Sequence, residues 1–421
     1  MIQTFQLSEG ITLRCCRDAR FKQGCLSFQI IRPMAASENA MNALLPSVLL
    51  RGTKKHGDLR AITHRLDELY GASVSAVVRR VGDYQTTGLY CGFMDDRFAL
   101  PGDQVLKPML EFLAELLLES PTEKGGFLPS FVESEKKNLI ATIESEMNDK
   151  RAYAMGRLLR TMCREDTFGL PRLGDKEQVA EIDAVQLYDH YQKILRESPI
   201  EIFYVGSAEP EEISEQLQPL LSRLDRNYVN LESQTGFHSC EGRDLTETME
   251  VSQGKLCMGF VSPITNRTEE FPAMQLLNTI FGSGMTSKLF MNIREKMSLC
   301  YSIGSGYYGT KGIVTVSAGI DFDKEELTRQ EVMRQLKACQ DGDISDEELT
   351  AARQAILSSL RATHDSPGSI EGYYATAALS GMGMTPAEYM AAVETVTKEQ
   401  VVAAANTLTL HTTYFLKGDS Q

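Results

Sequence analysis

Apolar residues recur along the chain in two rhythms, and both rhythms come round twice. Val179, Ile182, Leu187 and Tyr191 are spaced as one face of a helix, and the run from Ile200 to Val205, closed by Gly206, has the composition of a buried strand. Val393, Val396, Val401 and Ala405 repeat the helical spacing ahead of the strand-like Thr412 to Leu416 and Gly418. Asp183 and Thr397 lie 214 positions apart and Gly206 and Gly418 lie 212 apart, so the pattern predicts a duplication. The alternation through Thr87, Leu89, Cys91 and Phe93 has a counterpart in Val314 to Ile320, and each precedes long helices. Glu133 to Met147 corresponds to Asp346 to Arg361, which opens with Ser345 and Glu348 at the spacing of a capping box. A polar stretch from Asp225 to Thr248, with Asn227, Asn230, Ser233, Gly236 and Gly242, predicts a linker. The expected architecture is α+β, with an N-terminal domain over 1–224, a linker over 225–248 and a C-terminal domain over 249–421, each a sheet covered by helices.

Composition narrows the classes of function. The chain has 421 residues, 42% of them hydrophobic, enough for two cores. Its 57 acidic against 43 basic side chains give a net charge of −14, which argues against nucleic acid or an anionic membrane as the main partner. The densest apolar run, Phe112 to Leu118, is interrupted by Glu115 and falls far short of a bilayer span, so it predicts a core helix. Met1 to Thr12 carries neither a basic leader nor an apolar core. Nine cysteines, an odd number with no CxxC and with Cys15 beside Cys16, suit a reducing compartment, so a cytoplasmic location is expected.

Most chemical signatures are missing. No two of the six histidines, His56, His64, His190, His238, His364 and His411, lie three or four positions apart, so no helix presents an imidazole pair. His64 with Asp67 and Glu68 is the nearest approach to a ligand cluster, and a lone imidazole on an amphipathic helix is usually structural or solvated. There is no phosphate loop and no GxSxG. Gly282 and Gly284 follow a helical pattern that ends at Ile280, where glycine commonly ends a helix, and Gly304-Ser305-Gly306 lies in a strand region.

Two segments carry a family resemblance. One is Leu49-Leu50-Arg51-Gly52-Thr53-Lys54-Lys55, followed by Leu66-Asp67-Glu68-Leu69-Tyr70-Gly71-Ala72. The other is Gly282-Ser283-Gly284-Met285-Thr286-Ser287-Lys288-Leu289-Phe290, continuing through Ile293-Arg294-Glu295-Lys296 to Leu299-Cys300-Tyr301-Ser302. The chain resembles, over nearly its whole length, the pitrilysin and mitochondrial-processing-peptidase family of zinc peptidases with the inverted motif HxxEH. The resemblance implies two tandem homologous α/β-sandwich domains of the LuxS/MPP-like metallohydrolase type. Carried across residue by residue, it puts Ala43 and Ser47 at the histidine positions and Pro46 at the general-base glutamate. The distal ligand position falls on Thr142, with Glu144 and Glu146 as alternative registers. Catalytic zinc takes three protein ligands and an open position, so no metal, no other cofactor and no hydrolysis by this chain alone are expected. Met41, Leu44, Leu45, Val48 and Leu49 instead form an apolar helix face around Pro46, which either bends the helix or lies near its first turn.

The second segment keeps its polar groups. Taken alone, Arg294-Glu295-Lys296 is a solvated charge run. The resemblance implies instead that Arg294 and Tyr301 reach the carbonyl region of a bound peptide, a role suited to a guanidinium fork and a phenol. It thereby implies a non-catalytic, peptide-binding subunit of a heteromeric peptidase. The expected partners of such a subunit are a homologous HxxEH-bearing chain and an extended peptide, with no nucleic acid and no membrane. The alternative is a non-enzymatic maturation or docking factor, linked to elongation factor P modification or to bacteriocin processing.

Overall fold

A computed structural model describes residues 2–231, 236–238 and 240–418. By proximity of Cα atoms the chain forms two compact units, and neither is a continuous half of the sequence. The first takes in 1–144, 171–233 and 364–376, and the second takes in 145–170, 234–363 and 377–421.

The first unit is built on strands β1 (Ile2–Ser8), β2 (Ile11–Arg17), β3 (Gln23–Pro33), β4 (Ser73–Val81) and β5 (Tyr84–Met94), a two-residue hairpin β6 (Thr122–Glu123) and β7 (Gly126–Phe127), and β8 (Ile200–Gly206). Six of them make one sheet in the order β1-β2-β8-β3-β5-β4, with β2 and β8 parallel. Its helices include α1 (Asn39–Leu49), α2 (Leu59–Glu68), α3 (Leu106–Leu118) and all but the last four residues of α4 (Pro129–Asn148). Strand periodicity splits the two faces of β3. Leu26, Phe28 and Ile30 enter a core with Leu44, Leu45, Val48, Leu113 and Leu116. Ser27 and Gln29, on the other face, are equally buried and bond Glu371 at 2.6 and 2.9 Å. Arg79 completes that carboxylate's shell with two bonds, at 2.8 and 2.9 Å.

The second unit has β9 (Asp244–Met249), β10 (Gly254–Val261), β11 (Cys300–Tyr308), β12 (Ile313–Ile320) and β13 (Thr409–Gly418), ordered β11-β12-β10-β13-β9. Helix α5 (Lys150–Met162) lays Ala154 and Leu158 on Cys257, Tyr414 and Leu416 of this sheet. The last five residues of the polar stretch 225–248 belong to β9, which pairs in parallel with β13. The capping box before Asp346–Ala362 forms as its spacing predicts, with both reciprocal bonds present. Eight of the nine cysteines are buried and Cys16 is half-buried, all as free thiols. Among the described residues no helix is long and apolar enough to cross a membrane.

Candidate functional site

The three positions of α1 that would hold or assist a metal are occupied by packing groups. Ala43 is 4% exposed, Pro46 is buried and Ser47 is half-buried. Thr142, on α4, is exposed and donates its hydroxyl to Asn138 O at 2.9 Å. Among the described residues no group of three or more histidine, cysteine, aspartate or glutamate side chains is placed to hold a metal ion.

Pro46 lies well inside α1, where it has no N–H to offer the carbonyl four residues back. That carbonyl, Asn42 O, accepts instead from the Thr87 hydroxyl at 2.6 Å, so the sheet satisfies what the helix cannot. The Asn42 side chain, fully buried, gives its amide to Gln85 Oε1 at 3.0 Å and receives His190 Nε2 at 2.7 Å. Since the Asn42 oxygen can only accept, the imidazole carries its proton on Nε2. Burial first, with Arg32 and Lys193 adding to it against the pull of Glu38, brings the His190 pKa down to about 4. The neighbouring Arg51-Gly52-Thr53 is likewise architectural. Arg51 pairs with Glu135 at 3.3 Å. A Cβ on Gly52 would come within 2.8 Å of the Gly57 carbonyl. Thr53 Oγ1 accepts the His56 N–H at 2.7 Å and donates to Glu115, which His56 Nδ1 also meets at 2.7 Å. The charge that interrupts the apolar run of α3 is thus the anchor of this turn.

In the second unit, Arg294 and Tyr301 line one cleft of 360 Å³ with Glu295, Ser298, Leu299, Cys300 and Lys324. Two departures from regular backbone create it. The helical segment Leu289–Lys296 is wound in wide π-type turns, with Met297 N bonding Asn292 O at 3.1 Å, and Ser298 turns the chain at a φ of 52°. At the start of β11, Cys300 and Ser302 pair with the consecutive Ile320 and Gly319, leaving Tyr301 as the extra residue of a β-bulge. Tyr301 is 62% exposed. Glu295 and Lys296 are exposed, as a solvated charge run would be, whereas Arg294 is half-buried and lies over the Phe290 ring at 4.7 Å. Its ion pair with Glu295 is loose, at 3.5 Å. Burial pushes the Cys300 thiol up to about 11, against the pull of Arg294 and Lys324.

Two polar groups bear on Tyr301 without a local signal in the sequence, Lys324 in the cleft wall and Asp321 beside it. Asp321 accepts the Tyr301 hydroxyl at 2.9 Å, and Lys324 pairs with its other oxygen at 2.7 Å. Cys300 pairs with Ile320 in the antiparallel β11–β12 register, so Tyr301 and Asp321 leave that pair in opposite directions, and only the hydrogen bond itself shows that they meet. A second groove, of 610 Å³, runs along β11, the edge strand, and is lined by Gly282, Gly284, Gly304, Gly306, Met285 and Met155, among others. A Cβ on Gly282 would sit 2.6 Å from Leu289, so packing demands that glycine. Those on Gly304 and Gly306 would meet nothing closer than 3.5 and 3.6 Å, so packing leaves the bare backbone there unexplained.

With the geometry in hand, the comparisons with known proteins agree with one another. Residues 181–356 match the family described as peptidase M16 inactive domain. The chain is similar to the probable inactive metalloprotease YmfF of Bacillus subtilis (strain 168), 30% identical over 409 residues that make up 97% of this chain and 96% of that protein. Its fold is similar to the crystal structure of a conserved protein from Enterococcus faecalis V583, with a TM-score of 0.93 and 25% identity over 100% of this chain and 99% of that one. The peptidase M16 inactive domain from Pseudomonas fluorescens gives a TM-score of 0.81 at 18% identity, covering 100% and 98% of the two chains.

Proposed function

The chain belongs to the peptidase M16 family, among its inactive members, and from that premise we propose that it is a peptide-binding subunit working beside a homologous partner that carries HxxEH. Such pairing is general among inactive members of the family. The observation that carries the proposal is a contrast: the metal positions of α1 hold no ligand and are buried at Ala43 and Pro46 and half-buried at Ser47, while Arg294 and Tyr301 remain on an open cleft. The partner supplies the cation and the general base, and this chain supplies groups that hold an extended peptide, with no cofactor of its own. Hydrolysis cannot be assigned to Ala43, Pro46 and Ser47, none of which takes a proton from water near neutral pH. The proposal extends to a cytoplasmic setting, which nine free thiols suit. It extends also to an origin by duplication, with the boundary between halves in 225–248.

The test is reconstitution. The purified chain is mixed with the HxxEH homologue encoded nearby, and cleavage of a quenched fluorescent peptide is followed. Turnover is expected to rise well above that of either chain alone and to be lost with Arg294→Ala. Turnover indifferent to this chain would sink the division of labour, and stable association without cleavage would favour the docking factor.

A further inference from the structure

Each sheet carries a helical segment from the other half of the sequence, and the two segments bear opposite charges. Helix α5 belongs to the N-terminal half in sequence and to the second unit in space. The span 364–376, which holds most of helix α6 (Pro367–Ser380), belongs to the C-terminal half and to the first unit. Moved along the chain by 214 positions, the offset between Asp183 and Thr397, the span 150–162 of α5 lands on 364–376. The same offset carries Arg157 onto Glu371.

Each of these residues meets a group of opposite charge on its sheet. The first sheet presents donors: Ser27, Gln29 and Arg79 all give hydrogens to Glu371, which is 1% exposed. The second presents an acceptor: Glu247, on β9, takes the Tyr414 hydroxyl at 2.7 Å and the Tyr153 hydroxyl at 3.2 Å on one oxygen and pairs with Arg157 through the other. Arg157 Nε is buried with no hydrogen-bond partner, so stability alone does not account for a guanidinium where an apolar side chain could pack.

We infer that Arg157 and Glu371 assign each exchanged helix to its sheet. The inference goes beyond peptide binding and rests on the duplication alone, which makes the helices equivalent in position and the sheets equivalent in fold. With α5 in the place of 364–376, Arg157 would be set against Arg79. With α6 in the place of α5, Glu371 would be set against Glu247. Like charges held together away from water repel strongly. The arrangement in which each half keeps its own helix is thereby disfavoured, while the exchanged one satisfies both charges.

The test separates this assignment from the local ion pairs. Arg157→Glu with Glu247→Arg keeps an ion pair at the second sheet, where the phenols can accept as well as donate. It also makes both helices acidic at the equivalent position, so that Arg79 attracts either. The full-length chain is unfolded in urea, refolded by dilution under reducing conditions and treated with disuccinimidyl glutarate. Lys150, at the start of α5, and Lys255, on β10, line one cleft of 440 Å³, and their joining, measured by mass spectrometry, reports α5 on the second sheet. The joined fraction is expected to fall about twofold in this double variant, as two seats of equal charge compete. Arg157→Gln, a milder change, is expected to lower it less. Adding Arg79→Gln to the double variant is expected to restore the joined fraction, and Arg79→Gln alone to leave it at the wild-type level. Where circular dichroism shows that losing this cation unfolds the chain, Arg79→Glu with Glu371→Arg gives the same rescue, because it returns opposite charges to the two helices. A joined fraction unchanged by the first reversal overturns the assignment. A fall that no change at Arg79 relieves overturns it too, and with it the equivalence of the two helices. Peptide binding stands in either case.

Discussion

Helix α1 and the cleft around Arg294 both lie at segments where the chain resembles zinc peptidases, and they have taken opposite paths. On α1 the departures from HxxEH are absorbed into packing at two of three positions, Ser47 being half-buried. Ala43 and Pro46 are buried, and the carbonyl that Pro46 leaves without a helical partner is bonded by Thr87. At the cleft the backbone itself is irregular, with wide helical turns, a bulge at Tyr301 and a left-handed Ser298, and the polar side chains stay in reach of solvent. Irregular backbone costs stability and persists where it places a group for use. Closed packing around a lost site has no such use to serve. The comparison therefore predicts that substitutions at α1 act on folding, and that substitutions at the cleft act on binding.

The largest effect is expected at the buried network behind α1. Asn42→Ala strands both Gln85 and His190, each of which loses a partner in the core. The expected destabilisation is about 4 kcal/mol, from two unsatisfied buried groups, measured by urea unfolding followed by circular dichroism. The pH dependence of the same network comes next. The folded state keeps His190 neutral down to about 4, against an ordinary value of 6.5, so protonation favours the unfolded chain. That stability is fully present above pH 6.5 and is lost as the pH falls towards 4, to the extent of about 3 kcal/mol. His190→Gln is expected to flatten this part of the profile, and a slope that survives the substitution would assign it elsewhere.

The legibility of each feature in the sequence depends on the kind of interaction that makes it. The apolar face of α1, the capping box at Ser345 and the strand at Ile200 depend on short-range periodicity, and all are found where the spacing puts them. The loss of the metal motif was legible too, because ligand chemistry is a matter of residue type. Pro46 reads as a defect in sequence. Only the distance from Thr87 to Asn42 O, across 45 positions, shows how it is accommodated. Asp321 escaped for a similar reason, since its partner Tyr301 is 20 positions away and is itself the bulged residue, so no local spacing marks the contact. The exchanged segments were beyond reach altogether. Nothing local marks Glu371, deep in the second half, as the buried carboxylate that Ser27, Gln29 and Arg79 require.

A smaller effect sharpens the account of Pro46. Thr87→Val leaves Asn42 O buried without its donor and is expected to cost about 2 kcal/mol. Pro46→Ala restores an N–H four residues along the helix, where it can reach the same carbonyl. In the Thr87→Val background it is therefore expected to recover about 1 kcal/mol, and in the wild type to change little, because the acceptor is already served. An additive cycle would mean that Thr87 and Pro46 are not coupled through Asn42.

The smallest change in stability, and the one that separates the two regions, belongs to the cleft. Arg294→Ala removes a guanidinium held by a loose ion pair with Glu295 and by the Phe290 ring, and Tyr301→Phe removes a hydroxyl bonded to an exposed carboxylate. Surface groups so placed contribute little to folding. Both variants are expected to unfold at the wild-type urea concentration, while their affinity for a retained peptide, read by fluorescence anisotropy, falls. Asn42→Ala should do the reverse when assayed well below its own unfolding midpoint, binding peptide normally despite its lost stability. If the cleft variants lowered the midpoint and left affinity alone, the irregular backbone around Tyr301 would be a feature of packing after all. The contrast with α1 would then vanish.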